Sequence, residues 1–515
     1  MAKTQKLAFV QTATLHGVEA LPVTCETSVG GRGLPGIFMV GLPDAAVREA
    51  SYRVRLALQA AGFETPNQHI VINFAPSALR KSGSGFDLPI ALAILVATGQ
   101  IAAGLTDQML CVGELSIDGR IRSVRGLLAF EQLAVQSGQG LLTGPAPGGV
   151  YPPEQLDHHC LGNLADLHEM RLSQPYQAQS IEHEIEQDFA EVAGSQSAKR
   201  ALQIAALGNH ALMMVGPPGS GKSMLAARFP TILPKLSETE KVETAMVHSV
   251  AGLPYADILA GHKPFRAPHH SASRAGLLGG GSPPSPGEVS LAHNGVLFLD
   301  EMPEFGSAVL QLLRQPLESG QVALARAGGT TVFPARFHLL AAANPCPCGY
   351  LGDPEKNCRC TSSSVERYQS RIGGPLMDRF DLVIRVWRSP AAQVLATGRG
   401  QSSAQMRTEV EAGRLFRSSR LEQDSQGKSI GQSQTGQLLM ELPGKGAQLL
   451  AECQLGHTEL DFLEAAANAQ HLSGRKIMKA LAVARTIADL EQSELVGEEH
   501  LLEALSYRAD VGFEI

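Results

Sequence analysis

The segment GPPGSGKS, made of Gly216, Pro217, Pro218, Gly219, Ser220, Gly221, Lys222 and Ser223, sets three glycines ahead of a lysine and a hydroxyl. It follows the apolar run 211–215 and precedes a helix-compatible stretch. Its main-chain N–H groups can therefore surround phosphate oxygens where the helix N-terminus faces them. Lys222 then reaches the β- and γ-phosphates, and Ser223 offers its hydroxyl to Mg2+. A second apolar run, 296–299, ends in Asp300 and Glu301. Asp300 at a strand end can hold the same ion, directly or through water, and Glu301 is placed to polarise an attacking water. Loop, strand context and acidic pair agree on ATP hydrolysis, whereas a chance glycine loop would account only for the first.

Four of the eight cysteines form two CxC pairs, Cys346 with Cys348 and Cys358 with Cys360, separated by GYLGDPEKN. Four soft ligands on one turn-rich loop suit tetrahedral Zn2+, which would be structural because no ligand position is left open. A set of reduced free thiols is the alternative. The tandem His269 and His270 are poorer metal candidates, since adjacent residues rarely aim at one ion, and a loop or packing role is expected for them. Asn344 closes the apolar run 337–343, where a polar side chain at a strand end can orient water near the γ-phosphate.

These groups must be held by ordinary folded elements. The chain has 515 residues, 44% of them hydrophobic, which allows roughly two to four domains with buried cores. The apolar stretch 88–97 is too short to span a bilayer, and MAKTQKLAFV lacks a signal-peptide core and cleavage pattern, so a cytoplasmic location without membrane attachment is expected. Clustered cysteines do not resemble a secreted disulfide framework. A formal net charge of −7 argues against a broad basic face for nucleic acid, yet leaves room for a narrow basic channel between subunits.

Residues 1–170 read as mixed α/β, with a helix over 45–61, a strand over 69–74 and a buried helix over 88–98. The polar, acidic stretch 171–188 reads as a linker. From 189 to 390 the order is helix, strand, phosphate loop, helix, Gly/Pro-rich insertion, strand with Asp300, helix, hairpin, strand and cysteine loop, which predicts an open α/β sheet. Residues 391–515 begin with a Ser/Gln/Gly-rich segment, helix-compatible over 407–421, and end in consecutive helices over 457–508 that form a small lid.

The segments GLPDAAVREASYRVRLAL, KSGSGFDLPIALAIL, GPPGSGKS, PFRAPHHSASRAGLLGGGSPPSPGEVSLAHNGVLFLDE, AAANPCPCGYLGD, GGPLMDRFDL and VARTIADL together resemble the ComM and YifB family of Mg-chelatase-like AAA+ proteins, over nearly the whole chain. The resemblance implies an N-terminal Lon-protease-like, ribosomal S5-like α/β domain, an AAA+ P-loop NTPase α/β core and a small helical lid of the magnesium-chelatase type. It also implies ATP and Mg2+ as cofactors, a homo-hexameric ring, and kinship with both the magnesium chelatase ATPase subunit and the replicative MCM helicases. Asn344 matches the sensor-1 position. Arg379, in MDRFD, resembles the arginine finger that a ring presents to its neighbour's nucleotide, worth about a thousandfold or more in rate. Arg475, in LSGRKIMKAL, resembles the sensor-2 arginine that detects an intact triphosphate, although this segment departs from the commoner family pattern. Taken alone, either arginine could be a surface side chain in a weak ion pair.

The family is associated with branch migration of recombination intermediates during natural transformation, so DNA bound without sequence preference is the expected partner, with recombination proteins alongside. The segment 320–337 reads as a hairpin with its tip at Ala327, Gly328 and Gly329 and with Pro334 favouring an edge. In MCM-like motors a matching hairpin projects into the ring channel, which would put Arg326 on DNA phosphates. On local signals it could also be a solvated ribbon. The insertion 261–287 is the second candidate channel element, with Arg266 and Arg274 as DNA contacts. Arg407, Arg414, Arg417 and Arg420 face DNA or form a solvated helix face. The alternative function is a magnesium-chelatase-like motor or chaperone subunit that remodels a protein partner. Proteolysis is not expected. The Lon-type serine position falls at Gly85 and the lysine position near Leu128, while Lys81, Ser82 and Ser84 are out of register with it.

Overall fold

The computed structural model describes residues 6–31, 33–146, 155–174, 187–326, 329–390, 400–425 and 445–508. Ala327 and Gly328 of the expected hairpin tip, most of the acidic linker and much of the Ser/Gln-rich segment lie outside the described residues. Among the described residues, no helix is long and apolar enough to cross a membrane.

Alternating buried and open positions build the first sheet. Strands β1 (Lys6–His16) and β2 (Glu19–Val29) pair antiparallel along their whole length. They are joined by β3 (Gly36–Val40), β4 (His69–Ala75), β5 (Met109–Cys111), β8 (Gly140–Thr143) and β9 (His158–Cys160) in the order β3-β4-β2-β1-β5-β8-β9, while β6 (Glu114–Leu115) and β7 (Ile121–Arg122) form a side ribbon. Helix α1 (Ala45–Ala60) starts where the Asp44 carboxylate accepts the Val47 N–H at 2.9 Å. Helix α2 (Asp87–Thr98) is apolar on nearly every face, and all but two of its residues are buried, as a central core helix must be. The expected helix, strand and buried helix are thus present. Helix α3 (Leu127–Ser137) follows.

The motor sheet has the other signature. Every residue of β10 (Leu212–Val215) and of β14 (Val296–Leu299) is buried, the mark of parallel strands covered on both faces. With β11 (Phe265–Arg266), β17 (His338–Ala343) and β18 (Leu382–Arg385) they form the order β11-β14-β17-β10-β18, all parallel. Parallel pairing brings the strand ends to one edge, where ligands of open α/β sheets bind. Two insertions leave this core: the short ribbon β12 (Gly279–Gly280) with β13 (Ser285–Pro286), and the hairpin β15 (Gln321–Arg326) with β16 (Gly329–Pro334).

The two sheets are joined. Leu128 shares a small core with Leu236, Ala245 and Ile258, and the α3 start is bonded to α6 (Glu238–Ala251) by Gly126 N to Ser249 O at 2.9 Å and Leu128 N to Ser249 Oγ at 3.3 Å. The β1–β2 turn touches the hairpin: a Cβ on Gly17 would sit 2.8 Å from the Val332 carbonyl oxygen. Helices Ser403–Ser425, His457–Ala469, Gly474–Leu490 and Glu498–Ser506 cover the back of the motor sheet. Of the arginine row considered above for DNA, two members are structural. Arg407 Nε donates to Thr231 O at 2.8 Å, and buried Arg420 pairs with Asp489 at 3.2 and 3.3 Å.

Candidate ATP site

The loop 216–221 joins β10 to helix α5 (Lys222–Arg228). Gly216 is required by close approach, since a Cβ there would lie 2.0 Å from the Val386 carbonyl oxygen. Gly219 and Gly221 adopt φ of 74° and 88°, which L side chains rarely reach. Residues 218–221 of the loop, with Lys222, Ser223, Asp300, Glu301 and Asn344, line one cleft of about 330 Å³. A larger cavity of about 720 Å³ lies elsewhere on the motor and does not include the phosphate loop. Its Lys263, Arg266 and Arg407 are bonded to Asn294 O, Glu288 and Thr231 O.

Lys222 Nζ donates to Gly216 O at 2.8 Å and Pro217 O at 3.0 Å, with Asn344 Oδ1 at 3.4 Å. Burial pushes this ammonium down to about 8, against the opposing pull of Asp300 and Glu301. Phosphates entering the cleft would restore its charge. Ser223 Oγ donates to Asp300 Oδ2 at 2.7 Å, so a hydroxyl and a carboxylate stand together as hard oxygen ligands of the kind Mg2+ takes beside phosphates. When bound, that ion would neutralise charge developing on the phosphoryl oxygens. Asp300 Oδ1 accepts the Glu301 N–H at 2.9 Å, and Glu301 sits at φ 48°, a strained conformation of the kind that gathers at active sites.

The two arginines read from the sequence lie elsewhere. Neither Arg379 nor Arg475 lines the cleft of its own chain. Arg379 follows the short helix Gly374–Met377 and pairs with Glu318. Its carbonyl accepts from Lys479 Nζ at 2.9 Å, and the same ammonium bonds Asp381 Oδ1 at 2.7 Å. Burial alone would raise the Asp381 carboxyl, but Lys479 and His210 hold it well below the usual carboxylate range. Arg475 is exposed and stands one turn before Lys479 on Gly474–Leu490, on the side of Arg379 rather than of Lys222.

Two contacts were not foreseen. His270 Nδ1 is 3.6 Å from Glu301 Oε2 and its ring lies 4.0 Å from that of His269, so the insertion reaches the acidic pair. Arg388 Nε and Nη2 donate to Pro218 O at 3.3 and 3.2 Å. Only the PFRAPHHSAS segment signalled the first, and nothing local signals the second, whose partner is 170 residues away.

Of the arginines considered for DNA, Arg326 is exposed at the end of β15, 3.5 Å from where a Gly280 Cβ would stand, and Arg274 is exposed at the start of Arg274–Leu278. The hairpin and the ribbon therefore meet. Arg266 is a correction: it forms a two-pronged pair with Glu288 at 2.6 and 2.7 Å on β11 and braces the insertion from within. The four loop cysteines converge, with Cys346, Cys348 and Cys358 sulfurs 3.4 to 3.6 Å apart and all four within 4.8 Å. Tetrahedral zinc with Zn–S of about 2.3 Å needs sulfurs about 3.8 Å apart.

Comparison with known proteins agrees with this arrangement. Residues 188–394 match the family described as Magnesium chelatase, subunit ChlI, residues 25–145 match Subunit ChlI of Mg-chelatase, and residues 400–508 match its C-terminal region. The Competence protein ComM of Haemophilus influenzae is 40% identical over 518 residues, covering 98% of both chains. The Uncharacterized protein YifB of Escherichia coli is 39% identical over 517 residues, 98% of this chain and 97% of that one. A DNA helicase MCM8 of Rattus norvegicus is 31% identical over 107 residues, 21% of this chain and 12% of its own. With its phosphate loop, acidic pair and strand-end asparagine on one sheet edge, this chain belongs to the ComM and YifB family of Mg-chelatase-like AAA+ ATPases.

Proposed function

We propose that this ATPase assembles as a homo-hexameric ring that translocates on DNA and promotes branch migration of recombination intermediates. The observation that carries the reading is the meeting of the β15–β16 hairpin, with exposed Arg326, and the β12–β13 ribbon, whose preceding helix begins at exposed Arg274. Repeated around a ring, these arginines form a narrow basic lining that a chain of net charge −7 can afford, and their contact with phosphates is sequence-independent and salt-sensitive. The names of the competence and helicase relatives favour DNA as the load. Arg379 and Arg475, away from their own cleft, complete the neighbour's ATP site, which ties turnover to assembly. Cys346, Cys348, Cys358 and Cys360 hold a structural Zn2+.

ATP turnover measured with and without four-way DNA junctions, beside a strand-exchange assay, tests the reading. Junctions stimulate turnover, and Arg326→Ala removes both stimulation and branch migration while basal turnover persists. Unchanged stimulation in that variant would remove the hairpin from the account. The second reading, a chelatase-like or chaperone-like motor, draws on the magnesium chelatase matches. It predicts stimulation by a porphyrin-chelatase partner or an unfolded protein instead of DNA.

A further inference from the structure

The cysteine loop and the phosphate loop touch. Gly349, at φ 82°, lies so close to the phosphate loop that a Cβ there would be 2.5 Å from Pro218 Cδ. Arg388 bridges the same two loops. While Nε and Nη2 hold the Pro218 carbonyl, Nη1 is 3.6 Å from Asp353 Oδ2 and 3.8 Å from Glu355 Oε2, and the guanidinium lies over the Tyr350 ring, 5.5 Å from its centroid. The other Asp353 oxygen accepts from Glu355 N and Lys356 N at 2.8 and 3.1 Å. The turn between the two cysteine pairs is thereby locked onto the arginine.

The Pro218 carbonyl matters because, in a trans peptide, C=O and the following N–H point in opposite directions. Holding that oxygen on Arg388 sets the direction of the Gly219 N–H, and both residues line the ATP cleft. Arg388 cannot hold the cysteine loop unaided. One shared hydrogen bond to a charged donor stabilises by less than the conformational entropy lost in ordering several residues of an irregular loop. Four thiolates closing on one ion supply the difference, because metal binding energy is then folding energy for the loop.

We propose that Zn2+ held by Cys346, Cys348, Cys358 and Cys360 shapes the phosphate loop, through Gly349 against Pro218 and through Asp353, Tyr350 and Arg388 onto the Pro218 carbonyl, so that metal occupancy sets nucleotide affinity. This rests on the zinc reading above and adds to it a task at the ATP site. Cys360 N, which faces Cys358 Sγ at 3.4 Å, fits a loop built to carry thiolate charge.

The test uses the full chain. Zinc is measured by mass spectrometry, affinity with a fluorescent ADP, and loop position by emission of Trp387, the sole tryptophan. Protein purified without chelator carries about one zinc per chain. Removing it with a chelator weakens ADP binding by roughly tenfold, the loss of one or two good contacts, shifts Trp387 emission, and is reversed by adding zinc back. Arg388→Ala keeps its zinc, binds ADP comparably weakly and no longer responds to zinc removal. Lys222→Ala keeps its zinc while losing nucleotide, which separates failure of the ATP site from failure of the clamp. Equal ADP affinity with and without zinc overturns the coupling, as does an Arg388→Ala protein that still responds. Protein that never holds zinc overturns the metal site itself. Cys358→Ser is informative only beside the chelator reversal, which needs no refolding of a variant.

Discussion

Two loops of this molecule have similar composition and opposite fates. KSGSGF runs into α2 in the first sheet, and GPPGSGKS runs into α5 in the motor. Both bring glycine, serine and lysine to the start of a helix. In the first, Lys81 is fully buried with its ammonium on the Phe74 and Pro76 carbonyls, and Ser84 is bonded to Glu114. Gly85 faces Val112 and Val124, whose methyls would stand 3.1 and 3.3 Å from an added Cβ. Leu128 is packed against the motor. In the second, Lys222 faces a cleft where Asp300, Glu301 and Asn344 arrive from two other strands. A Gly/Ser/Lys loop thus becomes a site only where other strand ends bring it partners.

The comparison breaks most decisively in the motor. Lys222→Ala and Arg379→Ala each lower ATP turnover by about a thousandfold without lowering the melting temperature. Mixing the two inactive proteins restores part of the activity, because the intact arginine of one chain serves the intact loop of the other. No recovery would mean that Arg379 does not act across an interface. His270→Ala should reduce kcat about tenfold with little change in KM, since it touches Glu301 and not the phosphate loop. An effect on KM alone would assign it to binding.

A pH series sharpens the electrostatic side. With Lys222 in the free protein titrating near 8, the form that attracts phosphate predominates below that pH. Above it, binding must first take up a proton, so ADP affinity falls by about tenfold per pH unit at most. Lys222→Arg, which does not titrate there, gives a flatter profile. A profile for the unaltered protein that is flat from pH 7 to about 9.5 would contradict the buried, lowered lysine. The smallest effect belongs to the first sheet. Gly85→Ser restores the hydroxyl at the Lon-type position, yet yields no cleavage of casein. It costs about 1–2 kcal/mol by overpacking against the two valines and leaves ATP turnover unchanged. Any peptidase activity would erase the distinction between the two loops.

Much of the site was legible because its groups are local to strand ends. An apolar run that stops at a carboxylate pair or an asparagine announces a buried parallel strand and its exposed end in a few residues, as with 296–301 and 337–344. The hairpin, the helix 45–61 and the buried helix 88–98 were legible from their own short-range periodicity and turn residues. Arg266 misled because an arginine in a Gly/Pro-rich insertion carries no sign of Glu288, which captures it across a sheet edge. That Arg475 stands on the Arg379 side was not legible, because Lys479 of the same helix is fixed there by the Arg379 carbonyl and by Asp381, both about 100 residues away.

From residue order alone come the phosphate loop, a hydroxyl and a carboxylate able to share Mg2+, and four cysteines able to share an ion. These depend on covalent neighbours and on short-range periodicity. Tertiary structure alone decided that His270 meets Glu301, that Arg388 and Gly349 brace Pro218, and that Leu128 and Gly85 serve packing. Each of those depends on which chain segments, distant in sequence, the two cores bring within a few ångströms.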